Sequence, residues 1–157
     1  MVQINKTITS VWTITLNEGE VFKRVVDESL QTVQRAAGKA PLQFISDDDK
    51  AYFHRYYLAA LSDLNVLLAR RTARFGGSIT TNPETGETVY SLAMTDNHES
   101  ELATSLASHC LEFVIAKVLE KWYGPGTDMG SEAEKYEIRN IIQYRRFPIE
   151  RPVNPIF

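Results

Sequence analysis

The sequence predicts a mainly α protein: a four-helix bundle-like domain with an inserted β-hairpin, an N-terminal strand and an extended C-terminal arm. Long stretches carry apolar residues at every third or fourth position, which is the period of an amphipathic helix. Two shorter stretches, residues 7–16 and 78–94, are rich in β-branched and aromatic residues. The last stretch, FPIERPVNPIF (residues 147–157), holds three prolines, which prevent a helix there.

The composition is that of an ordinary globular protein of one domain. The chain has 157 residues, 43% hydrophobic and 24% charged, and we assign residues 1–146 to a single helical domain followed by the arm. A net charge of -3 excludes a general attraction to nucleic acid or to anionic membranes, so any such contact has to be local. The single cysteine forms no internal disulfide, and no eighteen apolar residues run together. We expect a soluble, intracellular protein without a membrane partner.

The first two elements are a strand and a helix. In TITSVWTITL (residues 7–16) the large apolar residues fall on alternate positions, which predicts a strand or an extended arm. Asn17 then provides a candidate N-cap. The following helix is predicted from Glu20 to Ala37 and ends at Gly38 and Pro41.

A second, longer helix follows. Ser46 is its candidate N-cap, and Asp47, Asp48 and Asp49 would occupy the first turn, where carboxylates meet unpaired backbone amides and the positive end of the helix dipole. The helical period continues to Phe75, so the sequence predicts a helix long enough to span the domain.

The second half of the chain is predicted to hold the hairpin and two further helices. The hairpin covers about residues 78–94, with its turn at Asn-Pro-Glu-Thr-Gly. Thr95 or Asp96 is expected to cap a third helix that runs to Tyr123. A fourth, shorter helix is predicted from Ser131 to Tyr144.

His109 and Cys110 are the one candidate catalytic pair that the sequence offers. Neighbouring residues of a helix point about 100 degrees apart, so His109 and Cys110 do not face each other as a nucleophile and its base must. A thiol among leucines is unreactive because burial disfavours its charged form. His54 and His98 lie on other elements, outside any zinc motif. We therefore predict no enzyme and no catalytic, metal or cofactor site; an enzyme using the His109–Cys110 pair with a nearby carboxylate is the minor alternative.

The hairpin is long for a connection between helices, and a two-stranded ribbon is only marginally stable without something to pack on. Its partner is either the N-terminal strand or a neighbouring subunit. On the second alternative, the intersubunit residues are Ile79, Thr81, Val89 and Tyr90.

The C-terminal arm is a candidate for partner binding. Prolines stiffen it, so that it loses less entropy when it docks on another surface. The contact residues would be Phe147, Val153, Ile156 and Phe157. The alternative is that the arm folds back on its own domain.

Two groups of arginines lie at the ends of predicted helices. Arg70, Arg71 and Arg74 end the second helix, and Arg145 and Arg146 follow the fourth. The helix dipole favours cations at these positions. The alternative is contact with an anionic partner, either nucleic acid or an acidic protein surface.

The order of elements resembles that of head-tail connector proteins of tailed phages and prophages. Residues 47–71, DDDKAYFHRYYLAALSDLNVLLARR, resemble an acid-capped helix in related reading frames of the Bacteroidetes-phage type, and residues 106–124, LASHCLEFVIAKVLEKWYG, resemble their late helix with its aromatic end. The resemblance covers about residues 46–146 and brings no catalytic residue with it.

The resemblance implies a structural virion protein of the phage neck, assembled in the host cytoplasm. Such an adaptor docks on the portal protein and contacts other neck and tail proteins. It forms a homo-oligomeric ring, commonly a dodecamer, with DNA passing through the lumen, and its arm grips a neighbour or the portal. The alternative function is a small helical accessory protein that binds another protein or nucleic acid.

Overall fold

The computed structural model describes residues 8–35, 45–69, 71–72, 76–95, 98, 100–124 and 127–143. Within these ranges the fold is mainly helical, with four α-helices and a small three-stranded antiparallel sheet, as the sequence predicts. The elements in chain order are β1 Ile8–Asn17, α1 Glu18–Arg35, a 3₁₀ turn Asp47–Asp49, α2 Lys50–Ala69, β2 Ser78–Asn82, β3 Glu87–Thr95, α3 Leu102–Tyr123 and α4 Ser131–Gln143.

The N-terminal strand is the partner of the hairpin. β3 lies in the centre of the sheet and β1 and β2 flank it, in the order β1-β3-β2. β1 pairs with β3 from Ile8 opposite Thr95 to Asn17 opposite Glu87. β2 pairs with the first half of β3, ending at Asn82 opposite Glu87. The chain therefore supplies the third strand that the hairpin needs for stability.

One face of the sheet forms part of the core. Strand residues alternate between the two faces, and the β1 residues at positions 12, 14 and 16 are buried while those at positions 11, 13 and 15 are exposed. On β3 the matching core residues are Tyr90, Leu92 and Met94. The helices contribute the rest of the core, among them Phe22, Val25, Phe53, Tyr57, Leu64, Leu68, Leu106, Phe113, Val114, Leu119, Ile138 and Ile142.

The third helix is the centre of the packing. α3 contacts α1, α2, α4 and β1, and eight of its residues are buried. By length and composition alone it is also apolar enough to cross a membrane, a test that the core helix of a soluble protein passes as well. Gly124 ends it with a positive φ of 96°, a conformation that favours glycine.

Two helices begin at the N-cap residues that the sequence predicts. The side-chain oxygen of Asn17 accepts a hydrogen bond of 3.1 Å from the Glu20 N–H at the start of α1. At the second start the Asp49 carboxylate accepts one of 2.9 Å from the Ser46 N–H. The three aspartates form a 3₁₀ turn that leads into α2, so the predicted first turn is helical but not α-helical.

α2 is α-helical to Ala69, and residues 71–72 are π-helical, with the Thr72 hydroxyl donating to the Leu68 carbonyl. Phe75, the predicted end of this helix, lies outside the described residues. One predicted boundary is wrong. Thr95 is not the cap of α3, because it is the last residue of β3, paired with Ile8. Pairing with the distant strand β1 therefore extends β3 beyond the range that the hairpin alone would set.

A glutamate of α3 caps the start of α4. One carboxylate oxygen of Glu120 accepts the Ser131 hydroxyl at 2.7 Å, and the other accepts the backbone N–H groups of Met129 at 3.2 Å and Ser131 at 3.3 Å. Charge-assisted bonds to unpaired amides of this kind are among the stronger hydrogen bonds in proteins. Glu120 therefore fixes how α4 begins on α3.

We expect E120A to lower the free energy of unfolding by about 2 kcal/mol, because two backbone donors and one hydroxyl lose their acceptor. Urea unfolding followed by circular dichroism measures the change. The matched control is E137A, an exposed glutamate of α4, which should change stability by no more than a few tenths of a kcal/mol. Equal midpoints for the two variants would contradict the capping role.

Candidate interaction surface

The outer edge of β2 is an unprotected strand edge. All five residues of Ser78–Asn82 are exposed, and within the described part of the chain no strand pairs with this edge. Edge strands are usually protected by charged residues, prolines or bulges. The segment SITTN has neither a charged residue nor a proline, so its outer edge is open to a further strand as far as the described residues go.

An apolar side chain of α2 lies beside the hairpin. Leu58 is exposed by 48% of its surface, and Ile79 of β2 is also exposed. Leu58 and Thr81 line an open groove of about 510 Å³ between α2 and the hairpin. We define the β2 surface as the edge of β2 with Ile79, together with Leu58 of α2. Exposed strand edge and exposed apolar groups together are typical of a surface that another chain segment covers.

The four predicted hairpin residues do not share one surface. Ile79 and Thr81 are exposed on β2, and Val89 is half-buried on the opposite face of the sheet. Tyr90 is 0% exposed, and its hydroxyl donates a hydrogen bond of 2.7 Å to the side-chain oxygen of Asn65. The prediction that Tyr90 contacts another subunit is therefore wrong, because the strand alternation turns this side chain into the core of its own chain.

Arg71 is also buried, although the sequence made it a candidate contact for an anionic partner. It is only 7% exposed, and its guanidinium donates a hydrogen bond of 3.2 Å to the backbone carbonyl of Ile142 at the end of α4. It therefore contacts its own fold and not an anionic partner. The other four predicted contacts, Arg70, Arg74, Arg145 and Arg146, lie outside the described residues, as do the arm residues Phe147, Val153, Ile156 and Phe157.

His98 completes a buried polar cluster with Arg71. Its Nε2 lies 2.8 Å from the Ile142 carbonyl oxygen and 3.3 Å from Nη2 of Arg71. Its Nδ1 lies 2.8 Å from the Thr95 hydroxyl, and its ring packs edge-to-face against Trp12. The cluster joins the ends of α2, β3 and α4. No sequence pattern predicts this cluster, because the acceptor that Arg71 and His98 share is the backbone carbonyl of Ile142.

His109 and Cys110 point to different neighbours. His109 Nδ1 lies 2.5 Å from a carboxylate oxygen of Glu134 on α4, whereas Cys110 is 0% exposed in the core. Burial, with a smaller contribution from the charge of Glu134, raises the pKa of the thiol to about 12. The predicted core packing of Cys110 is confirmed, and the two side chains do not form a nucleophile–base pair.

The other polar side chains of the described residues were compared with the requirements of a metal site and of a catalytic pair. Among the residues placed by the structure, no three histidine, cysteine or acidic side chains come together as metal ligands. The exposed His54 pairs with Glu18 at 3.0 Å across the starts of α2 and α1. These contacts join elements of the fold.

Comparisons of the chain with protein-family models, with curated proteins and with solved structures found no match in any of the three. The function of this chain is therefore inferred from its residues and their contacts.

We expect Cys110 to resist a thiol reagent such as 5,5′-dithiobis(2-nitrobenzoic acid) in the native protein and to react rapidly in urea, because its thiol is buried and protonated. V66C in a C110A background places a thiol at an exposed position of α2 and should react at once without denaturant. Equal rates for the native chain and this control would show that Cys110 is open to solvent.

The raised pKa of Cys110 also predicts alkaline destabilisation. The folded chain holds this proton more tightly than the unfolded chain, so its contribution to stability is complete below about pH 8.5 and is lost as the pH rises towards 12. Burial, followed by the charge of Glu18, raises the pKa of Tyr57 to about 12 as well, and burial raises the pKa of Tyr90.

Urea unfolding at pH 8.5 and pH 10.5 separates the thiol from the tyrosines. C110A keeps both tyrosines, so we expect the wild-type chain to lose roughly 2 kcal/mol more than C110A over this interval, at about 1.4 kcal/mol for each pKa unit. Parallel losses in the two proteins would contradict a buried, protonated thiol.

Proposed function

We propose that this chain is a structural protein of a phage neck, a head-tail connector that docks on the portal and forms a ring around the DNA channel. In this proposal the four helices form a bundle-like body, and each protomer contacts its neighbours through the β2 surface and the C-terminal arm. Different surfaces of adjacent copies then meet, and such heterologous contacts close into a ring when the rotation between copies permits it.

The observation that carries the proposal is the β2 surface. Among the described residues, the outer edge of β2 has no partner strand, and it lies near Leu58, an exposed apolar side chain of α2. An exposed apolar group beside an unpaired strand edge favours association with another protein over a monomeric state in solution. Of the predicted hairpin residues, Ile79 and Thr81 belong to this surface.

The polar contacts inside the fold support the same class of function. The thiol of Cys110 is buried, His109 pairs with Glu134, and Arg71 binds a backbone carbonyl. Each of these groups joins elements of the chain, so the proposal assigns them to stability. A structural protein that works through its shape and its contacts with other proteins needs no reactive group.

The arm and the remaining arginines complete the proposal. Phe147, Val153, Ile156 and Phe157 would anchor the arm on a neighbour or on the portal, because they are the large apolar side chains of that segment. Arg70, Arg74, Arg145 and Arg146 stay candidates for a surface that faces DNA or an acidic protein.

We expect the purified chain to bind the portal protein encoded in the same genome and to form rings on it, visible by negative-stain electron microscopy. L58D should reduce this assembly at least tenfold while circular dichroism stays unchanged, because a charge would have to be buried at the subunit contact. The matched control is Y136D, which places the same charge on α4 at a residue that is 64% exposed and should assemble normally.

Two results would overturn the connector proposal. The first is a chain that stays monomeric and unbound beside its portal at micromolar concentrations. The second is salt-dependent DNA binding that is abolished by R70Q and R74Q without any portal binding, which would favour the nucleic-acid-binding accessory protein.

A further inference from the structure

The open edge of β2 fits the same edge of a second copy of the chain. We infer that two free chains pair antiparallel through the outer edges of Ser78–Asn82, with Thr80 of each copy at the two-fold axis. The two sheets then form one six-stranded sheet in the order β1-β3-β2-β2-β3-β1. The inference goes beyond the connector proposal and does not depend on it, because it concerns the chain in solution before any assembly.

The backbone of β2 presents the groups that such pairing needs. Both backbone groups of a strand residue point to one side of the strand, and successive residues alternate between the two sides. The Asn82 carbonyl oxygen accepts a hydrogen bond of 2.9 Å from the Gly86 N–H of the hairpin turn. Asn82 and, two residues earlier, Thr80 therefore point towards β3. Ile79 and Thr81 direct their N–H and C=O groups to the open edge.

An antiparallel register centred on Thr80 uses all four of these outward groups. It sets Ile79 of one copy opposite Thr81 of the other, and each such pair exchanges two hydrogen bonds. The two Thr80 residues form the pair without hydrogen bonds between them, in which the Cα atoms are about 4.5 Å apart. The same five residues thus serve both copies, as a two-fold contact requires.

The side chains of Ile79 and Thr81 lie on the face of the sheet that α2 covers. Residues directly opposite each other in an antiparallel pair have their side chains on the same face. Within the chain, Ile79 is paired with Tyr90 and Thr81 with Thr88. Both of these β3 residues are buried, and the Tyr90 hydroxyl donates to Asn65 of α2. The inner face of β2 therefore continues the core face of the sheet beyond the part that the helices cover.

The groove beside β2 gains an occupant in the paired state. Leu58, Leu61 and Thr81 are among the residues that line this groove of about 510 Å³. The inferred register places Ile79 of the second copy opposite Thr81, at the open side of the groove. Ile79 and Leu58 are exposed by 39% and 48% of their surface in the single chain, so the contact removes apolar area of both copies from water.

The charges around the hairpin favour the antiparallel arrangement over a parallel one. Ser78–Asn82 has no charged side chain, whereas Glu84 lies in the turn and Glu87 begins β3. In the antiparallel pair the two turns lie at opposite ends of the contact. A parallel pair would bring the glutamates of both copies to the same end, where like charges repel each other.

The other edge of the sheet is less suited to pairing. The ladder between β1 and β3 has a register shift between Ile8 and Ser10, and irregularities of this kind interrupt a strand edge. On the core face of β1, Trp12, Ile14 and Leu16 are already buried, whereas every residue of β2 is exposed. Pairing between two copies thus covers the edge that exposes the most in the single chain.

The contact is small, so the dimer is weak. A five-residue edge with two apolar side chains from each copy buries less than the roughly 800 Å² per partner of a stable complex. We expect a dissociation constant between about 10 µM and about 1 mM. A dimer of this strength releases the β2 surface when a neighbour in a ring offers a different surface to it.

Cross-linking at the two-fold axis tests the register. T80C in a C110A background places two thiols on residues whose Cα atoms are about 4.5 Å apart, within the range of a disulfide. T81C in the same background is the matched control. The two copies of position 81 lie about 8 Å apart, beyond that range, although both positions are exposed.

In a glutathione buffer without portal protein, we expect at least tenfold more disulfide-linked dimer for T80C than for T81C. Non-reducing gel electrophoresis measures the ratio. Equal cross-linking of the two variants, or none in either, would overturn the inferred register without bearing on ring formation at the portal.

Hydrogen exchange of the unmodified backbone gives an independent readout. The Ile79 and Thr81 amides point to the open edge, so only the dimer protects them. Their exchange, followed by NMR, should slow at least twofold between about 10 µM and about 1 mM chain. The Thr80 amide points to β3 and should exchange equally at both concentrations. Fast exchange of Ile79 and Thr81 at every concentration would overturn the pairing.

A pair of charged variants locates the contact. I79K should abolish the concentration dependence, because its ammonium group would have to enter the groove of the other copy. V11K adds the same charge to an exposed residue of β1 and should keep the dependence, and circular dichroism checks that both variants fold. Loss of the dependence in V11K but not in I79K would assign the contact to β1 and overturn the inference.

Discussion

A buried guanidinium has to be hydrogen-bonded, and Arg71 meets this requirement with the backbone of another helix. Its Nη2 binds the carbonyl of Ile142, which is also the acceptor for Nε2 of His98. Leaving such a charge without acceptors inside a protein costs several kcal/mol. The end of α4 is therefore fixed against the segment after α2 and the segment after β3.

The core determines which surfaces remain for partners. α3 contacts α1, α2, α4 and β1, and Cys110 lies within that packing. All five residues of β2 are exposed, whereas most of β3 is buried or half-buried. The open surface of the molecule is thus a consequence of a small sheet packed against a few long helices.

Local patterns in the sequence predicted the elements well. Period and capping residues located β1, α1, the hairpin and α4 to within a few residues, because these signals depend on neighbours in the chain. Long-range effects could not be predicted in the same way. Thr95 belongs to β3 only because Ile8 pairs with it, and no local signal contains that pairing.

The candidate site was harder to predict than the fold, for a related reason. A single sequence shows that Tyr90 alternates with its neighbours but not which face of the strand is covered. It shows that Arg71 ends a helix but not that α4 ends beside it. The cap formed by Glu120 joins two helices through a side chain of one and the backbone of the other, and such contacts leave no spacing pattern in the sequence.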